Sequence, residues 1–177
     1  MNKYGQRLTQ PGEDFRVADR LEIQDLVWRF LMALDIGDRE MFEACFADTV
    51  LWDLSDNPVR LTGGPADLGP TSMPRAEFVE RAYGAAGHAP TRQRFMQHCV
   101  SNPLITFTDQ GRATVLAHLR NPLHLKTEGE DGAVAIVDRT MGGLYHIDVA
   151  KQGERWRISA LRLALYSYDP KVMVGRG

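Results

Sequence analysis

The sequence lacks the features that mark several large protein classes. Cysteine is scarce, with only Cys45 and Cys99 among 177 residues, and neither belongs to a Cys-x-x-Cys pair. This argues against a disulfide scaffold and predicts free or buried thiols in a reducing compartment. No block of basic residues occurs and the formal net charge is -2, which argues against a nucleic-acid-binding surface. No stretch approaches the length of a membrane span, and the polar N-terminus lacks the apolar run of a signal peptide. We therefore predict a soluble, cytoplasmic protein that binds neither nucleic acid nor membrane.

The composition is that of an ordinary globular protein, with 44% hydrophobic and 25% charged residues. The length is typical of one domain. We predict a flexible arm over residues 1–15, a single domain over residues 16–170 and a short tail over residues 171–177.

Helical and strand patterns are segregated along the chain. Apolar residues recur at helical spacing from Val17 to Leu34, a short helix follows Asp38, and a third helix begins near Arg75. The segment TVLWDL predicts a strand, and the Gly- and Pro-rich segment after it predicts a long loop or a hairpin with an insertion. A long strand pattern beginning at Met96 opens a four-strand meander. This order indicates an α+β fold with a curved antiparallel sheet around the helices and a pocket between them.

Asp35 lies in the last turn of the first predicted helix, on the flank of its apolar stripe. Gly37 is a plausible C-cap of this helix, and Asp38 is a plausible N-cap of the next. The negative end of the helix macrodipole disfavours the charged form of a carboxylate there. Asp35 is therefore either a solvated surface acid or a carboxylate suited to act as a base.

Three segments carry a resemblance to a known family. They are RLEIQDLVWRFLMALDIGD with FADT after it, HCVSNPLITF, and GGLYHIDVAKQGERWRISALR, in this order over most of residues 17–168. Together they resemble the SnoaL-like group of the nuclear transport factor 2-like superfamily, which also includes proteins similar to ketosteroid isomerase and scytalone dehydratase. The resemblance implies an α+β cone, in which a bent antiparallel sheet folds around a long N-terminal helix. A deep apolar pocket lies inside this cone. It also implies a homodimer or homotrimer.

The resemblance further implies a chemistry. Several members are cofactor-free dehydratases, dehydrochlorinases, isomerases or cyclases that use an Asp ending the first helix and a His on the strand after the third helix. Asp35 and His98 match these positions, so the resemblance implies a catalytic acid–base pair with no cofactor and no metal. A tyrosine often precedes the acid in dehydratase members, whereas Phe30 stands there in this chain.

Other residues are predicted to contact the substrate. Tyr145 would donate a hydrogen bond to a substrate oxygen. Arg162 lies an even number of residues after Ile158, which predicts that both side chains point inward. It lies next to Leu163, which predicts that Arg162 points outward, so either a bulge is present or both faces are partly buried. The predicted substrate-binding residues are Tyr145, Arg162, Trp52, Leu31, Phe30 and His118.

Each of these residues also has a structural interpretation, as a core side chain or a surface charge. His146 and Asp148 form a His-x-Asp pair that would need His118 or His124 to complete an iron site. We predict instead that this pair points outward, because the alternate positions from Tyr145 onward are apolar.

The leading hypothesis is a cofactor-independent lyase, isomerase or cyclase acting on a hydrophobic, cyclic or polyketide-like molecule. The alternative is a non-catalytic ligand-binding or assembly module, such as a small oxygenase subunit. In that case Asp35 and His98 would be structural.

Overall fold

The computed structural model describes residues 15–55, 69–83, 94–128 and 134–167. Most of the predicted arm and all of the predicted tail lie outside these residues. The helices are α1 (Val17–Ile36), α2 (Arg39–Ala44) and α3 (Arg75–Tyr83). The strands are β1 (Phe46–Asp53), β2 (Thr71–Pro74), β3 (Arg94–Met96), β4 (Cys99–Phe107), β5 (Arg112–Glu128), β6 (Val134–Gln152) and β7 (Arg155–Ser167). Within the described ranges, no helix is both long enough and apolar enough to cross a membrane.

The seven strands form one curved sheet in the order β2-β1-β7-β6-β5-β3, with β4 also paired to β5. The strands from β4 to β7 are antiparallel neighbours, which confirms the predicted meander. The predicted α+β fold with a curved sheet is confirmed, and the sheet is mixed because β1 runs parallel to β7. Short turns force antiparallel pairing, but most of the chain separates β1 from β7, so no hairpin dictates their direction.

Helix α1 packs against the sheet through a buried stripe of Ile23, Leu26, Val27, Phe30, Leu31, Ala33 and Leu34. The helix ends where predicted, at Gly37, whose left-handed backbone (φ 74°) lets its N–H donate to the carbonyl of Ala33. Asp38 then caps α2 by accepting a hydrogen bond from the Met41 N–H at 2.9 Å. Such a cap contributes about 1 kcal/mol. Together the two caps place Asp35 at a well-defined helix end.

Strands β1 and β2 pair antiparallel, with Trp52 opposite Thr71. This pairing is that of a hairpin, and residues 56–68, which carry most of the predicted loop or insertion, lie outside the described residues. Strand β2 itself was not predicted, because its four residues TSMP lie beside a Gly- and Pro-rich segment that masks a short strand pattern. Pro74 ends β2, and α3 begins at the next residue.

The strand predicted to begin at Met96 is broken in two. Strand β3 ends at Met96, β4 begins at Cys99, and both pair with β5. The Gln97 N–H donates to the carbonyl of Pro122 at 3.1 Å, so the chain stays beside β5 across the gap. His98 therefore lies at a break and not within a strand, which corrects the prediction. A second irregularity follows between Ser101 and Leu104, where Pro103 has no backbone N–H to donate to the ladder.

A bulge in β7 resolves the parity conflict around Arg162. Asp148 pairs with Ala160 but Val149 pairs with Ile158, so Ser159 is the extra residue. Before this bulge Ile158 is buried, and beyond it Leu161 is buried. The inward parity therefore changes at Ser159, and Arg162 lies on the opposite face from Leu161.

Candidate active site

Asp35 and His98 meet where the C-terminal end of α1 reaches the break between β3 and β4. The Oδ1 atom of Asp35 lies 2.6 Å from Nδ1 of His98. The backbone N–H of His98 also donates to the same carboxylate, at 2.9 Å to Oδ2 and 3.1 Å to Oδ1. The His98 side chain is 5% exposed and the Asp35 side chain 16% exposed. The two side chains predicted as a pair are thus in direct contact and largely shielded from water.

The strand break explains this contact. Because His98 lies outside both strands, its backbone N–H has no place in the ladder and is satisfied by the Asp35 carboxylate instead. The same carboxylate accepts the proton on Nδ1, which leaves Nε2 as the basic nitrogen of the neutral ring. The helix end therefore selects the tautomer of His98 as well as its position.

Tyr145 lies beside this pair on the inner face of β6. Its side chain is 5% exposed, and its ring packs edge-on against Phe30 with 5.8 Å between centroids. Burial raises the pKa of the Tyr145 hydroxyl, and the negative charge of Asp35 raises it further. Tyr145 is consequently a neutral hydrogen-bond donor across the physiological pH range.

The predicted apolar contacts belong to the core around the pair. Phe30 and Leu31 are 1% and 3% exposed, and Phe30 also packs on Phe46 at 5.8 Å between centroids. Trp52 is partly buried and lies edge-on to Phe78 at 5.7 Å. These side chains belong to the packed apolar and aromatic core, while Asp35, His98 and Tyr145 are the polar groups beside it.

Two predicted substrate contacts point elsewhere. Arg162 donates to Asp148 at 2.7 Å and lies 4.0 Å from Asp53, on the outward face of the sheet, because the bulge at Ser159 reverses the parity. His118 is exposed, because the inward positions of β5 are the odd-numbered ones on either side of it. Neither residue lies on the face that carries Tyr145.

The His-x-Asp pair also faces outward, as predicted. Nε2 of His146 lies 3.5 Å from Asp148, which is shared with Arg162. Burial lowers the pKa of His146, the Asp148 charge opposes this shift, and Arg162 reinforces it. In the part of the chain that the structure describes, no three His, Cys, Asp or Glu side chains are grouped to hold a metal ion.

One polar residue of the inner face was not predicted. Asn121 on β5 is 2% exposed, and its Oδ1 atom has no hydrogen-bond partner among the described residues. The alternation of Ala117 and Leu119 already indicated an inward position for Asn121 in the sequence.

A family model for the SnoaL-like domain matches residues 16–162. The chain belongs to the SnoaL-like family. Its fold is also that of several solved structures. A protein from Kribbella flavida is 20% identical, with a TM-score of 0.69 over 89% of this chain and 98% of that one. No curated protein sequence matches the chain.

Two further structural neighbours are named for their activities. A hexachlorocyclohexane dehydrochlorinase (LinA, type 2) is 15% identical, with a TM-score of 0.63 over 87% of this chain and 89% of that one. A protein from Novosphingobium aromaticivorans, named as a candidate scytalone dehydratase, is 17% identical, with a TM-score of 0.65 over 94% and 99%. At these identities the likeness shows the fold alone.

Proposed function

We propose that this protein is a cofactor-independent acid–base enzyme in which Asp35 and His98 form the catalytic pair. The observation that carries the proposal is the 2.6 Å contact between the Asp35 carboxylate and Nδ1 of His98. A carboxylate on one imidazole nitrogen makes the other nitrogen a better base and stabilises the imidazolium that forms. Asp35 acts through His98 and also orients it through the backbone N–H.

The proposed reaction begins with transfer of a substrate C–H proton to Nε2 of His98. The electron pair left on carbon either expels a leaving group from the adjacent carbon or is held as an enolate. The imidazolium then returns its proton to the leaving group or to a different carbon. Tyr145 would donate a hydrogen bond to the oxygen on which negative charge develops, which is the usual use of a neutral buried donor.

The proposed substrate is a hydrophobic, cyclic molecule. The buried apolar side chains of Phe30 and Leu31, which precede Asp35 on α1, support this choice. Dehydration and dehydrochlorination, for which two structural neighbours are named, are both eliminations that begin or end with proton transfer. Elimination or isomerisation within a deep apolar pocket, in a homodimer or homotrimer, is therefore the form of the proposal that we favour.

Deuterium exchange tests the proton transfer before the natural substrate is known. The protein is incubated in D2O with 1-tetralone or 1-indanone, and loss of the α C–H signal is followed by proton NMR. We expect the wild type to accelerate exchange, and Asp35→Asn and His98→Ala to lower that acceleration by about 10²–10⁴-fold. Asp25→Asn is the matched control, since Asp25 is an exposed acid on the same helix that pairs with Arg29.

Full exchange activity in Asp35→Asn or His98→Ala would contradict the proposed mechanism. Circular dichroism of each variant separates loss of chemistry from loss of fold. The proposal of an acid–base enzyme would also be contradicted by two results together. The wild type would exchange neither ketone, and the wild type and its Asp35 and His98 variants would all be inactive on a panel of cyclic enones and alcohols.

The second candidate function is an assembly module, and a different observation favours it. Trp28, Met32 and Ile36 on α1 are 53%, 53% and 63% exposed, which leaves an apolar stripe on the outer side of the helix. A constitutive partner that covers this stripe would appear as a stoichiometric larger chain on native purification. Purification of this chain alone, with exchange activity, would favour the enzyme.

A further inference from the structure

Asn121 faces His98 across the break between β3 and β4. Met96 pairs with Leu123 and Cys99 pairs with Arg120, so the same register runs through both strand pairs. The two residues between them, at positions 97 and 98, therefore face positions 122 and 121. The hydrogen bond from the Gln97 N–H to the Pro122 carbonyl agrees with this register.

His98 and Asn121 also share a face of the sheet. Their strand neighbours Cys99 and Arg120 are exposed, whereas the His98 side chain is 5% exposed and Asn121 is 2% exposed. Side chains directly opposite one another on the same face have Cβ atoms about 4.5–5.5 Å apart. The carboxamide of Asn121 is therefore a neighbour of the imidazole of His98.

This carboxamide is unusual for its surroundings. The other inward positions of β5 carry Ala113, Val115, Ala117 and Leu119, and Asn121 is the buried polar residue among the described ones. Its Oδ1 atom has no hydrogen-bond partner in the described part of the chain. A buried acceptor that is left unpaired destabilises the folded protein, so an apolar residue of the same size would serve a purely structural position better.

We infer that Asn121 is a specificity-determining residue of the site, whose carboxamide oxygen accepts a hydrogen bond from a hydroxyl group of the substrate. The inference rests on the proposed function and narrows its substrate class to hydroxylated cyclic molecules. A wholly apolar or halogenated ring would leave the acceptor unpaired and lose the corresponding affinity. The hydroxyl would lie beside Nε2 of His98, where a protonated imidazole can reach a departing oxygen.

Binding of an isosteric probe pair tests this assignment without turnover. The probes are 2-naphthol and 2-methylnaphthalene, which differ by a hydroxyl in place of a methyl group. Affinities are measured by titration, and the side-chain amide resonance of Asn121 is followed by 15N-correlated NMR. We expect the wild type to prefer 2-naphthol by about tenfold, as one hydrogen bond provides, with a shift of the Asn121 resonance. The variant Asn121→Leu should lose this preference.

The melting temperature is a second readout. A purely structural role of Asn121 predicts that its replacement lowers Tm, whereas the binding role predicts a rise. Because Asn121→Leu removes an unpaired buried acceptor and keeps the branched shape of the side chain, its Tm should rise by about 2–4 °C. The matched control Ser101→Ala removes an exposed polar group from β4 and should change neither Tm nor probe preference. If Asn121→Leu does not fold, Asn121→Ala tests the preference at smaller volume.

Equal binding of the two probes by the wild type, no binding of either, a retained preference in Asn121→Leu or a lower Tm would each overturn the assignment. The outcome is independent of catalysis. If Asn121→Leu loses the probe preference while Asp35→Asn exchanges the ketones as fast as the wild type does, the binding role is supported and the enzyme is contradicted. If Asp35→Asn loses exchange while Asn121→Leu keeps the probe preference, the enzyme is supported and the binding role of Asn121 is contradicted.

Discussion

Tyr145 on β6 packs its ring edge-on against Phe30 on α1, with 5.8 Å between the ring centroids. In dehydratases that resemble this chain, the phenol that precedes the acid comes from the first helix, where this sequence has Phe30. Burial and then the charge of Asp35 raise the pKa of Tyr145, so a phenol carried by the sheet is nonetheless present near Asp35. The missing hydroxyl on the helix therefore does not leave the site without a donor.

Removing the Tyr145 hydroxyl should reduce activity without unfolding the protein. We expect Tyr145→Phe to lower the ketone exchange rate by about 10–100-fold, because the variant loses a donor to the developing oxyanion. The edge-on packing on Phe30 is kept, so Tm should change little. Exchange kinetics and a thermal melt measure the two quantities, and an unchanged exchange rate would assign Tyr145 to the core alone.

The converse substitution tests why the helix carries phenylalanine. Phe30 is 1% exposed and is enclosed by Phe42, Phe46 and Tyr145. We expect Phe30→Tyr to lower the free energy of unfolding by about 1–3 kcal/mol, because the added hydroxyl overfills an aromatic cluster. Urea denaturation measures the change. A stable Phe30→Tyr protein would show that the cluster has room for a second phenol.

Asp35 should contribute to stability as well as to chemistry. It accepts the backbone N–H of His98 and contacts Nδ1 of the ring, so Asp35→Ala leaves both groups unpaired. We expect a loss of about 2–3 kcal/mol for Asp35→Ala and a smaller loss for Asp35→Asn, which keeps one acceptor. The exposed pair of Asp25 and Arg29 is the control, and Asp25→Ala should cost less than about 1 kcal/mol. Equal losses at Asp25 and Asp35 would contradict the special role of the helix end.

Asp19 should make stability depend on pH in the acid range. Burial alone would raise the pKa of Asp19, but hydrogen bonds from Lys151, Trp156 and Arg16 lower it to about 2. A group whose pKa is lower in the folded state stabilises the fold above its unfolded pKa, and this contribution is lost as pH falls through the folded pKa. The loss should therefore occur between about pH 4 and pH 2.

The variant Asp19→Asn should abolish that part of the pH dependence and cost about 1 kcal/mol at neutral pH, since partial exposure screens the charge. Urea denaturation at a series of pH values measures both effects. Identical pH dependence in Asp19→Asn and wild type would assign the acid sensitivity to other carboxylates.

Gly143 should not tolerate a side chain. A Cβ atom at this position would lie 2.2 Å from the carbonyl oxygen of Ala164 and 3.0 Å from Cα of Leu165, both of which are backbone atoms. We expect Gly143→Ala to lower the free energy of unfolding by about 3 kcal/mol or more, because β6 and β7 must separate to admit it. Gly111→Ala is the matched control, since only Asp109 Oδ1 lies within reach, at 3.9 Å. Similar melting temperatures for the two variants would contradict the close approach.

Much of the fold could be predicted from the sequence. The apolar stripe of α1, the glycine cap at Gly37 and the meander after β4 follow from local periodicity and turn chemistry, which act over a few residues. Resemblance then singled out Asp35 and His98. Strand β2 and the break after Met96 were not foreseen, because short or interrupted strands are stabilised by partners distant in sequence.

The alternation along β7 was ambiguous for a related reason. Both parities contain apolar residues, so the direction of Arg162 depended on where an extra residue is accommodated between β6 and β7. The structure places it at Ser159, and Arg162 then pairs with Asp148 on the outer face. A bulge is set by the match between two strands, which neither strand encodes alone.

Local sequence thus determined where α1 ends and which segments form the meander, because these depend on neighbours in the chain. Tertiary structure alone decided that Asp35 accepts a hydrogen bond from the N–H of His98 and that Tyr145 packs on Phe30. It also decided that Asn121 faces His98 with an oxygen that is unpaired among the described residues. These relationships depend on strand register and on a break in pairing, which arise only when distant segments pack together.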